Sequence, residues 1–302
     1  MSFCSEIKKE ISASPLPHAC CRNAFAYGLL QGGHAFGLQE MSIQTEHRAV
    51  AASYAAVITA LFEDVSFFEQ TMPRKNGSYY TVSIADESDR RSILDRFGHS
   101  GHELSLRLNR ANLDCDFCAA AYVRGAFLAC GAVSDPETDY HLEMSVPSHK
   151  LSGDILTLLS ESGMPFKHIL RKGCNVLYLK DSDRIADFLA WIGAQTGSLQ
   201  VYQAVMYKNI RNKVNRQTNC ESANLDKTVA AASGQIQAVQ KIERNGGIAS
   251  LPDDLQELAQ LRLLHPEYSL RELAEALDPP LTRSGVNHRL KRLMDFAADL
   301  PD

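Results

Sequence analysis

The sequence predicts an α/β domain of two similar αββαββα repeats related by pseudo-two-fold symmetry, followed by an all-α helix-turn-helix domain. Three observations support this class. One helical motif occurs twice, the same order of helix-like and strand-like segments follows each copy, and two short capped helices stand near the C-terminus. The chain has 302 residues and is 45% hydrophobic, which is typical of a globular protein with about two domains.

The recurring motif places small residues on one helical face. Residues 21–30 (CRNAFAYGLL) are echoed by residues 118–127 (CAAAYVRGAF), so that Gly28 corresponds to Gly125. A further small residue follows each glycine at i+4. Because glycine in a helix interior costs roughly 0.5–1 kcal/mol relative to alanine, its recurrence in register indicates that the two helices approach each other closely.

The segments after each copy also correspond. The run EMSI at 40–43 is matched by EMSV at 143–146, and each run precedes a helix-like segment, at 47–62 and 149–163. Two β-rich runs and an acid-rich helix start then follow in both copies. We therefore place the repeats at about 18–105 and 115–200, within a domain of residues 1–205. The β-rich runs and helix starts are 67–71, 79–84 and 86–93, and then 168–170, 175–179 and 181–185.

No segment predicts a membrane span or an export signal. The longest nearly apolar stretch, 49–62, is shorter than the ~20 residues of a bilayer span and indicates a buried core helix. The N-terminus mixes acidic and basic residues, and no apolar region follows. We therefore expect a cytoplasmic protein without a membrane partner. In that compartment Asn76-Gly77-Ser78 is typical of a hairpin turn rather than of a glycosylation site.

The last third of the chain has the pattern of a DNA-binding domain. An apolar stripe between Ser222 and Arg244 predicts a connecting helix that ends at Asn245-Gly246-Gly247, within a basic segment and linker at 206–248. A cap and an early proline at 250–253 begin the next helix. The sequence Ser269-Leu270-Arg271-Glu272 is a capping box that opens a short helix. Residues 249–302 are therefore predicted to form a helix-turn-helix domain.

The final helix is predicted to read DNA. Either Thr282 or Ser284 can cap it, and the spacing of Val286, Leu290 and Leu293 turns these side chains inward. In helix-turn-helix proteins the second helix enters the major groove, where Asn reads adenine, Arg reads guanine, and Ser or Lys holds phosphate. Although the net charge is -5, residues 282–292 hold four bases and no acid. The alternative interpretation is a solvated basic face on an ordinary three-helix bundle. The candidate DNA-binding residues are Thr282, Arg283, Ser284, Asn287, His288, Arg289, Lys291 and Arg292.

A second acid-free basic run extends from 207 to 220. A solvated linker face and an auxiliary phosphate-binding surface explain this pattern equally well. The candidate phosphate contacts are Lys208, Arg211, Lys213 and Arg216.

The cysteines give only a weak metal signal. Eight cysteines in a long chain without an export signal indicate reduced thiols. Cys115-x-x-Cys118 alone cannot make a tetrahedral zinc site, which needs four ligands. Cys20 and Cys21 could complete the set, but buried structural thiols are the favoured interpretation. We therefore predict neither a metal nor a cofactor, and whether these four cysteines bind a metal is left open.

The duplicated motif resembles that of the LAGLIDADG homing endonucleases, in which two such helices cross at the dyad and two saddle-shaped sheets sit on DNA. Aligning residues 125–131 with the motif places Cys130 where that family keeps a metal-binding acid, and Gly33 is its counterpart in the first copy. Neither residue supplies the carboxylate oxygen that Mg²⁺ requires. The resemblance therefore implies a retained scaffold with degenerate metal positions, and we expect the chain not to be an enzyme.

The two halves together resemble the WhiA family of bacterial regulators, which join a degenerate LAGLIDADG domain to a C-terminal helix-turn-helix. The most specific segments are NRQTNCESANLDKT at 215–228, RGAFL at 124–128 with VSDP at 133–136, and SGVNHRL at 284–290. The resemblance spans essentially the whole chain. It implies a sequence-specific, nucleoid-associated transcriptional regulator linked to cell division, chromosome segregation and sporulation.

Two other functions are compatible with the residues. One is a residual endonuclease with non-standard metal ligands, and the other is an adaptor whose helix-turn-helix binds transcription machinery or another regulator. Double-stranded DNA is the expected partner in the leading interpretation. The internal pseudo-dimer makes a monomer the simplest assembly.

Overall fold

The computed structural model describes residues 2–62, 64–74 and 77–301. The chain divides into two compact units, Met1–Lys208 and Asn209–Asp302. No helix within the described ranges has the length and apolar character needed to cross a membrane.

The first unit contains the predicted duplication. A helix α1 (Phe3–Ala13) precedes two repeats, and each repeat has the order helix, two strands, helix, two strands, helix. The predicted αββαββα architecture is therefore confirmed. The first repeat comprises α2 (Ala19–Gln31), β1 (Ala35–Phe36), β2 (Met41–Thr45), α3 (Arg48–Leu61), β3 (Phe68–Arg74), β4 (Gly77–Ser83) and α4 (Glu87–Arg96). The second comprises α5 (Cys118–Cys130), β5 (Gly131–Val133), β6 (Leu142–Val146), α6 (His149–Glu161), β7 (Lys167–Arg171), β8 (Cys174–Leu179) and α7 (Ser182–Trp191).

Each repeat forms one four-stranded antiparallel sheet. The strand orders are β1-β2-β4-β3 and β5-β6-β8-β7, so both copies have the same topology. β3 and β7 occupy equivalent edges and are exposed along their whole length. Their partners β4 and β8 carry buried side chains such as Val82 and Leu177. In the predicted hairpin turn of the first repeat, Asn76 lies outside the described residues, although Arg74 pairs with Gly77 on either side of it.

The two motif helices pack backbone against backbone. A Cβ added to Gly28 would lie 2.0 Å from the carbonyl oxygen of Tyr122, and one added to Gly125 would lie 2.1 Å from the carbonyl oxygen of Phe25. Such distances are far inside van der Waals contact, so only glycine fits at either position. The predicted close approach of α2 and α5 is confirmed at both related glycines.

α1 is attached to this unit by contacts that span most of the domain sequence. Arg124 on α5 is buried, and its guanidinium donates hydrogen bonds to the carbonyl oxygens of Ile11, 2.9 Å from Nε, and Ser14. These carbonyls close the C-terminal end of α1, where four acceptors lack partners within the helix. Glu10 accepts from the backbone N–H groups of Thr196 and Gly197, at 2.7 and 3.1 Å. These contacts therefore supply hydrogen-bond partners to unpaired backbone groups at two places: the C-terminal end of α1 and the first residues of the helix that contains Thr196 and Gly197.

The second unit is helical. The helix α8 (Gln195–Arg244) begins in the first unit, and its later residues belong to the second, together with α9 (Asp253–Leu264), α10 (Leu270–Ala276) and α11 (Arg283–Ala298). Val239 and Ile242 of α8 are buried with residues from α9 and α11 in one apolar cluster. A second cluster joins α9, α10 and α11 around Leu258 and Leu290.

Two details of this unit differ from the sequence prediction. The connecting helix begins at Gln195 rather than near Ser222, and the first members of its apolar stripe, Leu225 and Val229, are 64% and 59% exposed. The stripe is buried only toward its C-terminal end. α9 has Pro252 at its N-cap position and no side-chain cap, so the predicted cap at 250–253 is wrong. The acidic residues of its first turn still favour a helix N-terminus electrostatically.

Candidate nucleic-acid interface

α11 begins at a defined side-chain cap. The Thr282 hydroxyl accepts a hydrogen bond from the backbone N–H of Gly285 at 3.1 Å, and this settles the choice between Thr282 and Ser284. Ser284 is an exposed residue of the first helical turn. The preceding helix α10 opens with the predicted capping box, in which Ser269 and Glu272 exchange hydrogen bonds of 2.7 and 3.3 Å. The helix-turn-helix thus has both of its helix starts fixed locally.

The inward face of α11 is apolar, as the spacing predicts. Val286, Leu290 and Leu293 are all at most 1% exposed. Val286 and Leu290 pack in the cluster with α9 and α10, whereas Leu293 packs in the cluster with α8. Burial on this side determines which side chains of α11 face solvent.

The outward face carries polar and basic groups with free donors. Five of the predicted residues are exposed, and the described part of the chain offers them no side-chain hydrogen bond or ion pair. They follow one another at helical spacing, so they present one continuous surface near the N-terminal half of the helix. The five are Arg283, Ser284, Asn287, His288 and Lys291.

Two predicted contacts point elsewhere. Arg292 donates to Asp254 on α9 at 2.5 Å, and the Nε of Arg289 lies 4.0 Å from the same carboxylate. The side chains of Arg289 and Arg292 are 29% and 44% exposed. Because Asp254 neutralises part of their charge, these arginines differ from Arg283 and Lys291, which have no such partner among the described residues.

A basic depression adjoins the N-terminal end of this face. It has a volume of about 430 Å³, and none of the described residues that line it is acidic. Arg283 and Asn287 form one wall, and Lys227 contributes a further cation. Arg271 also lines the depression, but its guanidinium lies 3.0 Å from the carboxylate of Glu275. Arg262 at its base is buried and donates to the Tyr268 carbonyl at 2.7 Å. Sequence reasoning missed Lys227, Arg262 and Arg271, because they belong to three other helices and meet α11 only in the folded unit.

The four basic residues of the 208–216 run have different environments. Lys208 donates to the Pro136 carbonyl at 2.9 Å, and its ammonium lies 4.4 Å from the ring centre of Tyr140. This cation is engaged within the first unit. Arg211, Lys213 and Arg216 are exposed on the part of α8 that belongs to the second unit.

The degenerate motif positions lie at the C-terminal ends of α2 and α5. A Cβ at Gly33 would stand 2.7 Å from the Ser42 carbonyl oxygen, so the site leaves no room for a carboxylate. Cys130 donates through its thiol to the Ala126 carbonyl at 3.2 Å, and burial raises the pKa of Cys130 to about 12. Burial lowers the pKa of Lys8, whose ammonium is close enough to Cys130 for their charges to interact. Within the described ranges, no cluster of three metal-binding side chains forms at this end of the helices.

The four cysteines of the weak zinc signal meet at the opposite, N-terminal ends of the same two helices. All four sulfur atoms lie within 4.8 Å of one another. Sequence reasoning named these residues but did not favour their joining, because the two pairs are separated by more than ninety positions.

The fold and the exposed basic helix define a class: a duplicated LAGLIDADG-type domain joined to a helix-turn-helix domain of the DNA-binding kind. Family models agree for both parts. Residues 119–211 match the WhiA LAGLIDADG-like domain, and residues 214–297 match the WhiA C-terminal HTH domain. The chain belongs to the WhiA family.

Relatives and a solved structure agree with this assignment. A protein of Clostridium botulinum strain Hall named probable cell division protein WhiA is 37% identical over 268 residues, covering 85% of this chain and 84% of its own. A protein of the same name from Alkaliphilus metalliredigens is 35% identical over 312 residues and covers 98% of both chains. The crystal structure of full-length WhiA from Thermatoga maritima covers 100% of both chains with a TM-score of 0.59 at 23% identity, which supports the fold.

Proposed function

We propose that this protein is a non-catalytic, sequence-specific DNA-binding regulator of transcription, in which α11 enters the major groove. The observation that carries the proposal is the exposed face of Arg283, Ser284, Asn287, His288 and Lys291. These side chains project from the N-terminal half of the second helix of a helix-turn-helix, which is the part that reaches base edges. Their amide and guanidinium groups match the edges of adenine and guanine.

The basic depression supports phosphate binding beside the base-reading surface. Lys227 and Arg283 bring positive charge to the N-terminal end of α11, whereas Glu275 neutralises part of the charge of Arg271. The helix dipole adds to this field, because unpaired N–H groups collect at the same end. A DNA strand placed here has its backbone next to cations while Asn287 faces the groove. Arg211, Lys213 and Arg216 extend the basic surface along α8 and are proposed as auxiliary phosphate contacts.

The names of the relatives suggest the process that is regulated. Proteins 35–37% identical to this chain are called probable cell division protein WhiA. We therefore propose that this protein controls genes of cell division. By its resemblance to the family, we extend the proposal to genes of chromosome segregation and sporulation. Association with the nucleoid follows if the protein binds DNA in the cell.

The first unit is proposed to have lost nuclease activity. Two-metal cleavage of a phosphodiester requires carboxylates that anchor the ions, and Gly33 and Cys130 provide none. The buried Lys8 next to Cys130 further disfavours a divalent cation there, because like charges repel in a poorly hydrated site. Purified protein incubated with duplex DNA and Mg²⁺ is expected to give no cleavage, with or without Cys130→Ala. Metal-dependent product that disappears in the variant would restore the nuclease interpretation.

Two substitutions on α11 test the proposed DNA contacts. Asn287→Ala removes the amide that can pair with a base, so we expect a loss of roughly 1–3 kcal/mol at the preferred site and relaxed sequence preference. Lys291→Ala removes a phosphate-neutralising charge, so we expect weaker binding to all sequences and a salt slope lower by about one unit. Competition titrations over a range of salt concentrations, with a selected site and random DNA, measure both effects.

Arg244→Ala is the matched control. This substitution removes one positive charge from the same unit as Lys291→Ala does. Arg244 is the last residue of α8, and the amide of the next residue, Asn245, donates to the Pro301 carbonyl at 3.2 Å. Arg244 is therefore close to the C-terminal end of α11, away from the proposed DNA contacts. We expect DNA affinity and salt slope to remain as in the wild type. Unchanged binding by folded Asn287→Ala and Lys291→Ala would instead favour a protein-interaction adaptor that contacts transcription machinery.

A further inference from the structure

Four thiols converge where the two motif helices begin. The Sγ of Cys115 lies 3.5 Å from that of Cys20, 3.6 Å from that of Cys21 and 3.5 Å from that of Cys118. All six sulfur pairs are within 4.8 Å. Cys21 and Cys118 are buried, and Cys20 and Cys115 are half-buried. Cys20 and Cys21 stand in the first turn of α2, whereas Cys118 is the first residue of α5.

The sulfur separations match those around a shared metal ion. A tetrahedral Zn²⁺ site has metal–sulfur bonds of about 2.3 Å, which places its sulfurs ~3.8 Å apart. A disulfide bond, in contrast, is about 2.05 Å long. The measured 3.5 and 3.6 Å are therefore too long for covalent bonds and close to the tetrahedral value. The other three separations are at most 4.8 Å, within about 1 Å of the tetrahedral value, so modest side-chain movements would let the four sulfurs surround one ion.

We infer that Cys20, Cys21, Cys115 and Cys118 form a structural zinc site that joins the two repeats at the N-terminal ends of α2 and α5. Four thiolates complete the tetrahedral coordination of Zn²⁺, so the site has no open position for a substrate or water. Sulfur ligands in this geometry favour zinc over hard cations such as Mg²⁺. Binding replaces the thiol protons by the metal and releases them to solvent.

The surrounding backbone favours the negative charge of such a site. Four thiolates and one Zn²⁺ carry a net charge of -2, and both helix N-termini direct partial positive charge toward them. Neither α2 nor α5 has a side-chain cap, because His18 and Phe117 at the cap positions make no capping hydrogen bond. The Cys118 N–H donates to the Cys115 carbonyl at 2.9 Å, and the remaining first-turn N–H groups are left for acceptors such as sulfur. A carboxylate cap would have opposed the thiolates.

The site is distinct from the degenerate nuclease positions. α2 extends over 13 residues from the cysteines toward Gly33, and at about 1.5 Å per residue this separates the two ends by ~20 Å. The zinc therefore supplies no hydrolytic chemistry to Gly33 or Cys130. Its effect is to cross-link residues of the first repeat to residues that begin the second. Such a cross-link is expected to stabilise the pairing of α2 with α5.

Metal analysis and spectroscopy of the full chain test the inference. Protein purified under reducing conditions without a metal-affinity tag should contain one equivalent of zinc, released when a mercurial reagent blocks the thiols. Reconstitution with Co²⁺ should give one equivalent of a species with thiolate-to-metal charge transfer and the strong visible absorption of a tetrahedral site. Removing the metal with a chelator should lower the melting temperature of the full chain.

Serine variants locate the ligands. Cys115→Ser and Cys118→Ser should each lower zinc affinity at least tenfold and remove charge-transfer intensity from the Co²⁺ spectrum. Cys174→Ser and Cys220→Ser are the matched controls, since both cysteines are exposed outside the cluster, and they should behave as the wild type. The zinc content and the Co²⁺ spectrum of the wild type and the two control variants test the site by themselves. The inference therefore remains testable even if a ligand variant folds poorly.

Three results would overturn the inference. They are wild-type protein that remains metal-free and gives no Co²⁺ charge transfer, zinc binding that survives in both ligand variants, and a disulfide within the cluster that persists in freshly purified reduced protein. None of these outcomes depends on DNA binding, so the zinc site and the proposed regulator function stand or fall separately.

Discussion

At the level of single residues, the helix dyad depends on two glycines that face each other's helix backbone. Gly28→Ala would place a methyl group 2.0 Å from the Tyr122 carbonyl oxygen. Because the helix backbone cannot move aside locally, this clash can be relieved only if α2 and α5 move apart. We expect this substitution to lower the free energy of unfolding by about 1–3 kcal/mol, the usual cost of overpacking. Urea denaturation followed by circular dichroism measures the loss.

Gly153→Ala is a control for helix propensity. Gly153 is in the interior of α6, where an added Cβ meets no atom within 4 Å. Alanine there should stabilise the protein by roughly 0.5–1 kcal/mol. Equal effects of Gly28→Ala and Gly153→Ala would show that close packing is not the reason for glycine in the motif.

His99 makes stability depend on pH. It is 6% exposed, and its Nε2 lies 2.8 Å from the Tyr27 hydroxyl. Burial lowers the pKa of His99, although Glu103 acts in the opposite direction. Below an unfolded pKa of about 6.5 the unfolded chain binds a proton that the folded chain does not. The stabilisation is therefore complete above that pH and is lost as the pH falls.

Unfolding experiments between about pH 7.5 and pH 5.5 measure this effect, which one histidine limits to about 1.4 kcal/mol per pH unit. His99→Gln should flatten the dependence, whereas the exposed His102→Gln should not. An unchanged slope in His99→Gln would assign the pH dependence to other groups.

Sequence reasoning identified residues whose roles are set locally. Thr282 and Ser269 act on backbone groups within three positions, and the inward residues of α11 follow from helical periodicity. The orientation of Arg292 could not be predicted in this way. Its partner Asp254 is 38 positions distant, and only the packing of α9 against α11 brings the two together. For the same reason the sequence named the four cysteines of the cluster but did not favour their meeting in one site.

At the level of elements, the repeats could be predicted because each copy has its own turn and capping signals. α1 and the first part of α8 have weaker signals. α1 is fixed by Arg124, 113 positions from Ile11, and the start of α8 is capped by Glu10, 186 positions from Thr196. α1 has a local N-cap, since the Ser2 hydroxyl accepts from the Ser5 N–H at 3.3 Å, but the partners that close its other end are distant in sequence. Prediction of elements therefore failed where tertiary contacts, not propensity, satisfy the helix ends.

At the level of the whole molecule, the C-terminal unit has cores of its own. Both of its apolar clusters use only residues between Ala238 and Leu300. The residues of α8 from 209 to 231 are all exposed. Nothing in these two clusters requires a side chain from residues 1–208. The exposed polar and basic face of α11, proposed to contact DNA, is therefore built on a core that the C-terminal part of the chain contains completely.

We accordingly expect residues 220–302, expressed alone, to fold cooperatively and to keep most of the sequence preference of the full chain. Affinity for the selected site should fall by no more than about tenfold, or ~1.4 kcal/mol, because the base-reading side chains are retained.

A longer fragment, 209–302, adds Arg211, Lys213 and Arg216, so a steeper salt dependence of its binding would identify them as phosphate contacts. Residues 1–208 should bind DNA weakly or not at all. Thermal melts and fragment selection from random DNA test each piece, and selection of the full-chain site by residues 1–208 alone would show that the reading surface lies in the duplicated domain.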